Sequence, residues 1–311
     1  MSHSLETKRS ASKPLASSPP MTPGACATLA CIWEATAAKP GNVYRGADFD
    51  DVSYADFLTS ASVIGPMLEL ACEEGVGATV LSAAQATRAA VATNTNLGML
   101  LLLTPLSAVP SDTILAEGIA DVLGALSPKD TRGVYEAIRV ARPGGLGEVE
   151  KADVQSSSEP DISLVEAMGL AADRDLIARQ YVNNFEQVFL AADLMEQKAK
   201  QNVALNDSIV WAFLSLLSEL PDSLIVRKCG TKVAGEVSAR AAAVLSKGDM
   251  ASHEACREFD FWLRADGHHR NPGTTADLIA AGLFVLLRDQ RLNWPVRFYN
   301  PLTPDPRPLF V

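Results

Sequence analysis

Apolar residues along this chain recur every three or four positions, and alternation with a period of two is hard to find, so helices are expected almost throughout. Ser53 reads as an N-cap with Asp56 three positions on, and Phe57, Ala61, Ile64 and Leu68 then share one helical face. Asp112 precedes a helical segment ending near Leu126, and Ser127-Pro128 opens the next. Asn206-Asp207-Ser208 starts a helix that carries Phe213, Leu217 and Leu220 on its apolar face and stops at Pro221. Val233 to Ser246 reads as another helix, closed by Gly248. Thr274 caps a final long helix with Leu278, Ala281 and Val285 along one side. The expected fold class is all-α: one multi-helix bundle of roughly ten helices, a single domain over residues 24–311.

Two stretches fall outside this pattern. Met1 to Pro23 is rich in Ser and Pro and has no apolar centre, and is expected to be a disordered tail. Ala141 to Asp161, with Gly144-Gly-Leu-Gly-Glu148 inside it, is expected to be a long loop that folds over a ligand. The glycines there superficially suggest a dinucleotide fingerprint, but no strand precedes them. The most apolar runs, Met99–Leu103 and Leu278–Leu287, fall short of the roughly 20 residues needed to cross a bilayer. A soluble, cytoplasmic protein with no membrane partner is the expectation.

Charge and cysteine usage narrow the classes further. The 311 residues carry a formal net charge of −10, which argues against a generic nucleic-acid binder, since counterion release needs a basic face. An acidic chain can still hold an anion where a few cations or a metal reverse the local sign. The five cysteines (Cys26, Cys31, Cys72, Cys229, Cys256) include no C-x-x-C pair, so reduced thiols are expected in place of disulfides or structural zinc.

Besides that glycine-rich stretch, three more segments are not explained by amphipathic helix rules. Lys39-Pro-Gly-Asn42 through Asp48, Asp50 and Asp51 delivers a cation, an amide and three carboxylates on a loop after Trp33 and Glu34. Mg²⁺ takes oxygen ligands, usually one or two carboxylates plus substrate phosphates, so this is metal-site chemistry. The plainer alternative is a solvated turn whose acids cap the next helix. Asn94-Thr95-Asn96-Leu97-Gly98 presents amides and a hydroxyl at a helix start, or is simply a turn of residues that tolerate positive φ. His268-His-Arg-Asn271-Pro-Gly273-Thr274-Thr275-Ala-Asp277 leads a cationic turn into a helix N-terminus suited to phosphate; Thr274 with Asp277 equally fits a capping box. Arg227-Lys228 adds a further cation pair.

In order along the chain, these segments resemble the triphosphoribosyl-dephospho-CoA synthase family over roughly residues 25 to 290. Glu34 with Lys39-Pro-Gly, the acidic stretch through Asp51 leading to Phe57 and Ser60, and Asn94-Thr95 with Gly98 carry the likeness. So does Asn271-Pro-Gly-Thr-Thr-Ala-Asp-Leu, beside the family's Ser-Pro-Gly-Gly-Ser-Ala-Asp-Leu, with Pro272, Gly273, Ala276, Asp277 and Leu278 matching outright. The resemblance implies an all-α fold and an unusual reaction. ATP donates its triphosphoribosyl group to a ribose hydroxyl of 3′-dephospho-CoA, and adenine leaves. Such glycosyl transfer asks for stabilisation of an oxocarbenium-like C1, help for the departing adenine and deprotonation of the attacking hydroxyl.

On this reading Asp48, Asp50 and Asp51 are metal ligands or bases. Lys39, Asn42, Asn94, Thr95, Asn96, Gly98, Asn271, Gly273, Thr274, Thr275 and Asp277 contact the nucleotide, and Mg²⁺ accompanies the ATP. The resemblance leaves a homo-oligomer open. Two departures, the loss of a lysine that would be a phosphate partner and of a histidine that would be a base or ligand, are compatible with a surviving nucleotide handle and a different acceptor. The bacterial citrate-lyase branch has Asn-Thr-His-Lys-Gly where this chain has Asn94-Thr-Asn96-Leu97-Gly98, and Gly-Ala-His where it has Gly46-Ala47-Asp48. A divergent branch serving another cofactor pathway, such as one-carbon carriers of the methanopterin type, is therefore one alternative. An ATP-using kinase or ligase-like enzyme and a non-catalytic helical scaffold are the others.

Overall fold

In the computed structural model, residues 21–91, 93–142, 161–247 and 253–299 are described. They form fifteen helices: α1 Pro23–Thr36, α2 Tyr54–Glu69, α3 Ala71–Glu74, α4 Val76–Val91, α5 Leu97–Ser107, α6 Leu115–Gly124, α7 Pro128–Ala141, α8 Leu164–Gly169, α9 Leu176–Val182, α10 Glu186–Lys200, α11 Leu205–Glu219, α12 Ser223–Cys229, α13 Thr231–Ser246, α14 His253–Arg264 and α15 Gly273–Arg288. Among the described residues there is no strand, only two isolated bridges within the loop before α2. The all-α expectation is met. The helix number exceeds it, because short helices such as α3, α8, α9 and α12 are too brief to show a periodic pattern.

Two helices are apolar all round and therefore have to be central. In α5 every residue but Gly98 is buried, and in α15 the same holds from Thr274 to Leu287 apart from Asp277. Helix α15 packs against α1, α5, α10 and α11, while α1–α2 and α4–α7 form close pairs around that centre. One continuous apolar cluster runs from Cys26 to Leu292. No single helix among the described residues is long and apolar enough to cross a membrane.

Helix starts follow the sequence where the cap is local. Ser53 with Asp56 and Ser127 with Asp130 form reciprocal capping boxes. They depart from it where the cap comes from elsewhere. Helix α6 begins at Leu115, after Asp112, and Asp289 accepts from the Leu115 N–H at 3.3 Å. Helix α11 begins at Leu205, ahead of Asn206, with the N–H groups of Leu205 and Asn206 bonded to the carbonyls of Arg297 and Phe298, each at 2.9 Å. Thr274 is not the cap of α15: the helix already includes Gly273, and the Thr275 N–H and hydroxyl donate to Asp222 Oδ2 at 2.7 and 2.8 Å. The expected tail lies outside the described residues up to position 20, and Thr22 caps α1. The ligand-covering loop, from residue 143 to 160, and Gly248 also lie outside them.

Candidate functional site

Loops and helix ends from far-apart parts of the chain meet around one cavity of about 920 Å³. That is near the upper end of the range for ligand pockets, roughly 300–1,000 Å³. The loop before α2 contributes Asn42, Phe49 and Asp51, and the turn into α5 contributes Thr93 to Gly98. The end of α12 contributes Arg227 and Lys228, and the turn into α15 contributes His268, Asn271, Gly273, Thr274 and Asp277. Helices α7, α8 and α9 close the far side with a mostly apolar wall that includes Tyr135, Ile138, Leu164, Met168 and Ile177.

Direct contacts tie these segments together. Asn42 Nδ2 donates to Asn271 Oδ1 at 2.9 Å, and His268 Nδ1 lies 3.2 Å from Asp51 Oδ1 with its ring edge-on to Phe49. The turn into α5 is seated by a 2.5 Å Ser60–Thr95 hydroxyl pair, by Asn96 Nδ2 on Thr87 at 3.2 Å, and by Asn94 Oδ1 accepting from the Leu97 N–H at 3.1 Å. Gly98 then lets α5 approach α15, since a Cβ there would collide with the Asp277 carboxylate. Only glycine leaves that space.

The cavity is cationic within an acidic chain. Arg88, Arg142, Arg174, Arg227 and Lys228 line it against Asp51, Asp175 and Asp277. Arg227 pairs with Asp175 at 3.3 Å, and burial holds the Lys228 ammonium below its ordinary range. Asp277 stands apart. Its carboxylate makes no hydrogen bond among the described residues. Burial first, then the neighbouring Glu34, Asp222 and Asp175 carboxylates, hold its pKa well above the ordinary carboxylate value. A carboxyl whose pKa is raised in a cleft is suited to proton transfer.

Several expected site residues sit elsewhere. Lys39 does not reach the cavity: it is fully buried, with Nζ 2.9 Å from Glu34 Oε1, and it donates to the carbonyls of Glu34 and Ala37 at the end of α1. The Pro40-Gly41 turn folds it back there, where a cation also suits the helix C-terminus. Burial lowers the Lys39 pKa and raises that of Glu34, and each partner opposes the other's shift. Asp48 is exposed and takes the plainer role, accepting from the Tyr54 N–H at 2.6 Å. Asp50 is exposed and, like Asp48, does not line the cavity; Asp51 does. Thr275 is occupied by Asp222.

Asp222 carried no sequence signal beyond a helix start, yet its buried carboxylate also accepts from Leu224 and Ile225 at 2.9 and 3.2 Å and so fixes two helix N-termini. Arg88 and Arg174 were equally unmarked, and Arg142 only as part of the expected ligand-covering loop, because their convergence exists only in space.

Among the described residues, no group of three or more His, Cys, Asp or Glu is arranged to hold a metal. Mg²⁺ bound chiefly through substrate phosphates needs only one or two protein carboxylates, and Asp51 is a carboxylate that lines the cavity beside its cationic end.

Comparison with known proteins shows the family. Residues 20–296 match the family described as ATP:dephospho-CoA triphosphoribosyl transferase (CitG). A crystal structure described as "putative triphosphoribosyl-dephospho-coA synthase from Archaeoglobus fulgidus" superposes with a TM-score of 0.60 at 27% identity, covering 75% of this chain and 98% of that one. A comparison with curated proteins gives no match. The chain belongs to the ATP:dephospho-CoA triphosphoribosyl transferase family, and it is a transferase.

Proposed function

We propose that this cavity binds ATP and dephospho-CoA together and transfers the triphosphoribosyl group between them, with Arg227, Lys228 and the turn into α15 holding the triphosphate. The observation that carries the reading is the convergence of Asn42, Asp51, Asn94–Gly98 and Asn271–Asp277 on one cation-lined cavity. Its far wall is apolar enough for the uncharged arm of the acceptor. Mg²⁺ arriving with ATP would be held by Asp51 and would neutralise triphosphate charge.

In the transfer, the bond from the acceptor hydroxyl oxygen to C1 of the ATP ribose forms as the C1–adenine bond breaks. The adenine nitrogen keeps the electron pair and needs a proton. Asp277, whose carboxyl holds its proton more tightly than an ordinary carboxylate, supplies it and regains one from the hydroxyl that has attacked. General acid help of this kind contributes about 10²–10⁴-fold, and holding both substrates in register supplies much of the remainder.

Incubation with ATP, Mg²⁺ and dephospho-CoA should release free adenine and yield a conjugate of the two remaining parts, read by mass spectrometry. Formation of ADP or AMP in place of adenine would overturn this reading in favour of a kinase or ligase-like enzyme. A scaffold would show no thermal shift with Mg-ATP, whereas ligand at 100 times its Kd stabilises by about 2.7 kcal/mol.

A further inference from the structure

Helix α14 packs substantially against only one other helix, α13, among the described residues. It is also held by Arg270, which donates to the Trp262 carbonyl at 2.6 Å and stacks on its ring, and by a loop about 220 positions earlier in the chain. Asp260 Oδ1 accepts from the Gly41 N–H at 2.7 Å and Oδ2 from the Tyr44 hydroxyl at 3.2 Å. Arg264, one turn on, pairs with Asp260 at 3.0 Å and donates to the carbonyl of Asn42. Its guanidinium also lies over the rings of Tyr44 and Phe49, 5.3 and 4.8 Å from their centroids. Leu263 fills the space beside Gly41, where a Cβ would come within 2.6 Å of it and the backbone takes φ +75°.

None of these three α14 residues lines the cavity, but the loop they hold does, through Asn42, Phe49, Asp51 and Val52. Asp260 fixes the loop's backbone at Gly41, and Arg264 fixes the carbonyl of the residue whose side chain bonds Asn271.

We propose that Asp260 and Arg264 are positioning residues, an ion pair on α14 that clamps the Gly41–Asp51 loop in the shape that completes the nucleotide cavity. The proposal rests on reading that cavity as the nucleotide site. A guanidinium is required at position 264, because a lysine ammonium is a point charge that cannot stack on two rings while donating to a carboxylate and a carbonyl.

The test compares wild type, Arg264→Ala, Arg264→Lys, Asp260→Asn and Arg240→Ala. Arg240 stacks on Trp262 of α14 at 4.1 Å without touching the loop and so reports on α14 docking alone. Arg264→Ala should lower kcat/KM for adenine release about 100-fold, the scale set by roughly 1 Å of misplacement. Added guanidinium ion should restore part of that loss, Arg264→Lys and Asp260→Asn should fall between, and Arg240→Ala should match wild type. Amide hydrogen exchange across residues 41–51 should quicken in Arg264→Ala, a readout independent of catalysis. Unchanged exchange there, an equal loss in Arg240→Ala, or no rescue by guanidinium would overturn the clamp. Absence of adenine release from wild type, with exchange still quickened in the variant, would instead overturn the functional reading and leave the clamp standing.

Discussion

The carboxylate of Asp277 lies against the Cα of Gly98: a methyl group built at position 98 would come within 2.6 Å of its Cγ and nearer still to Oδ2. Two residues 179 positions apart thus form one wall of the cavity, and each explains the other. Gly98→Ala should gain about 1 kcal/mol of helix propensity and lose about 1–3 kcal/mol to overpacking. Stability measured by denaturant melting should therefore change little or fall modestly. Adenine release should fall far more, at least about tenfold, because Asp277 has to move.

Asp277→Asn separates stability from activity. Since the folded-state pKa is raised, folding favours the protonated carboxyl. That contribution is complete below the ordinary value of 3.8 and is lost as pH rises through the raised value. At pH above the raised value the wild type carries an unfavourable, partly buried charge that the amide lacks. The variant should then melt at a higher temperature than wild type while losing about 10²–10⁴-fold in turnover. Wild-type turnover should decline as pH climbs through the same value, and the residual activity of the variant should lack that decline.

Lys39 and Glu34 form a fully buried pair whose members are best changed together. Lys39→Met alone should cost about 3–5 kcal/mol by stranding Glu34. The loss should grow with pH, because Glu34, with its pKa already raised by burial, escapes by taking a proton only while pH stays below that pKa. Glu34→Leu combined with Lys39→Met should recover most of it in thermal melts.

Asp222→Ala removes one acceptor from two helix starts, α12 and α15. A loss of about 2–4 kcal/mol is expected from two lost caps and buried donors left unpaired. The loss should be visible by circular dichroism as an earlier transition, with adenine release falling alongside because the α15 start lines the cavity.

Much of this was legible in the sequence. Wherever a helix was long and locally capped, as at Ser53 and Ser127, its start could be read from neighbouring residues alone. The polar turns at Asn42–Asp51, Asn94–Gly98 and Asn271–Asp277 stood out because amphipathic patterning gave them no purpose, and the fold brings them together. What escaped is spatial. A carboxylate such as Asp222 or Asp289 that caps a distant helix looks like any other acid in one dimension. Lys39 looked like a phosphate ligand because no local rule reveals that the turn after it folds back onto α1. The clustered acids read as one metal set, but the loop turns Asp48 towards the start of α2 and only Asp51 lines the cavity.

Hydrogen exchange followed with and without Mg-ATP tests most directly whether these distant turns make one nucleotide site. Simultaneous protection of the peptides spanning residues 41–52, 94–98 and 271–277, saturating together with nucleotide concentration, is the result this geometry predicts. Protection confined to one of those segments, or appearing on a face away from the cavity, would contradict it.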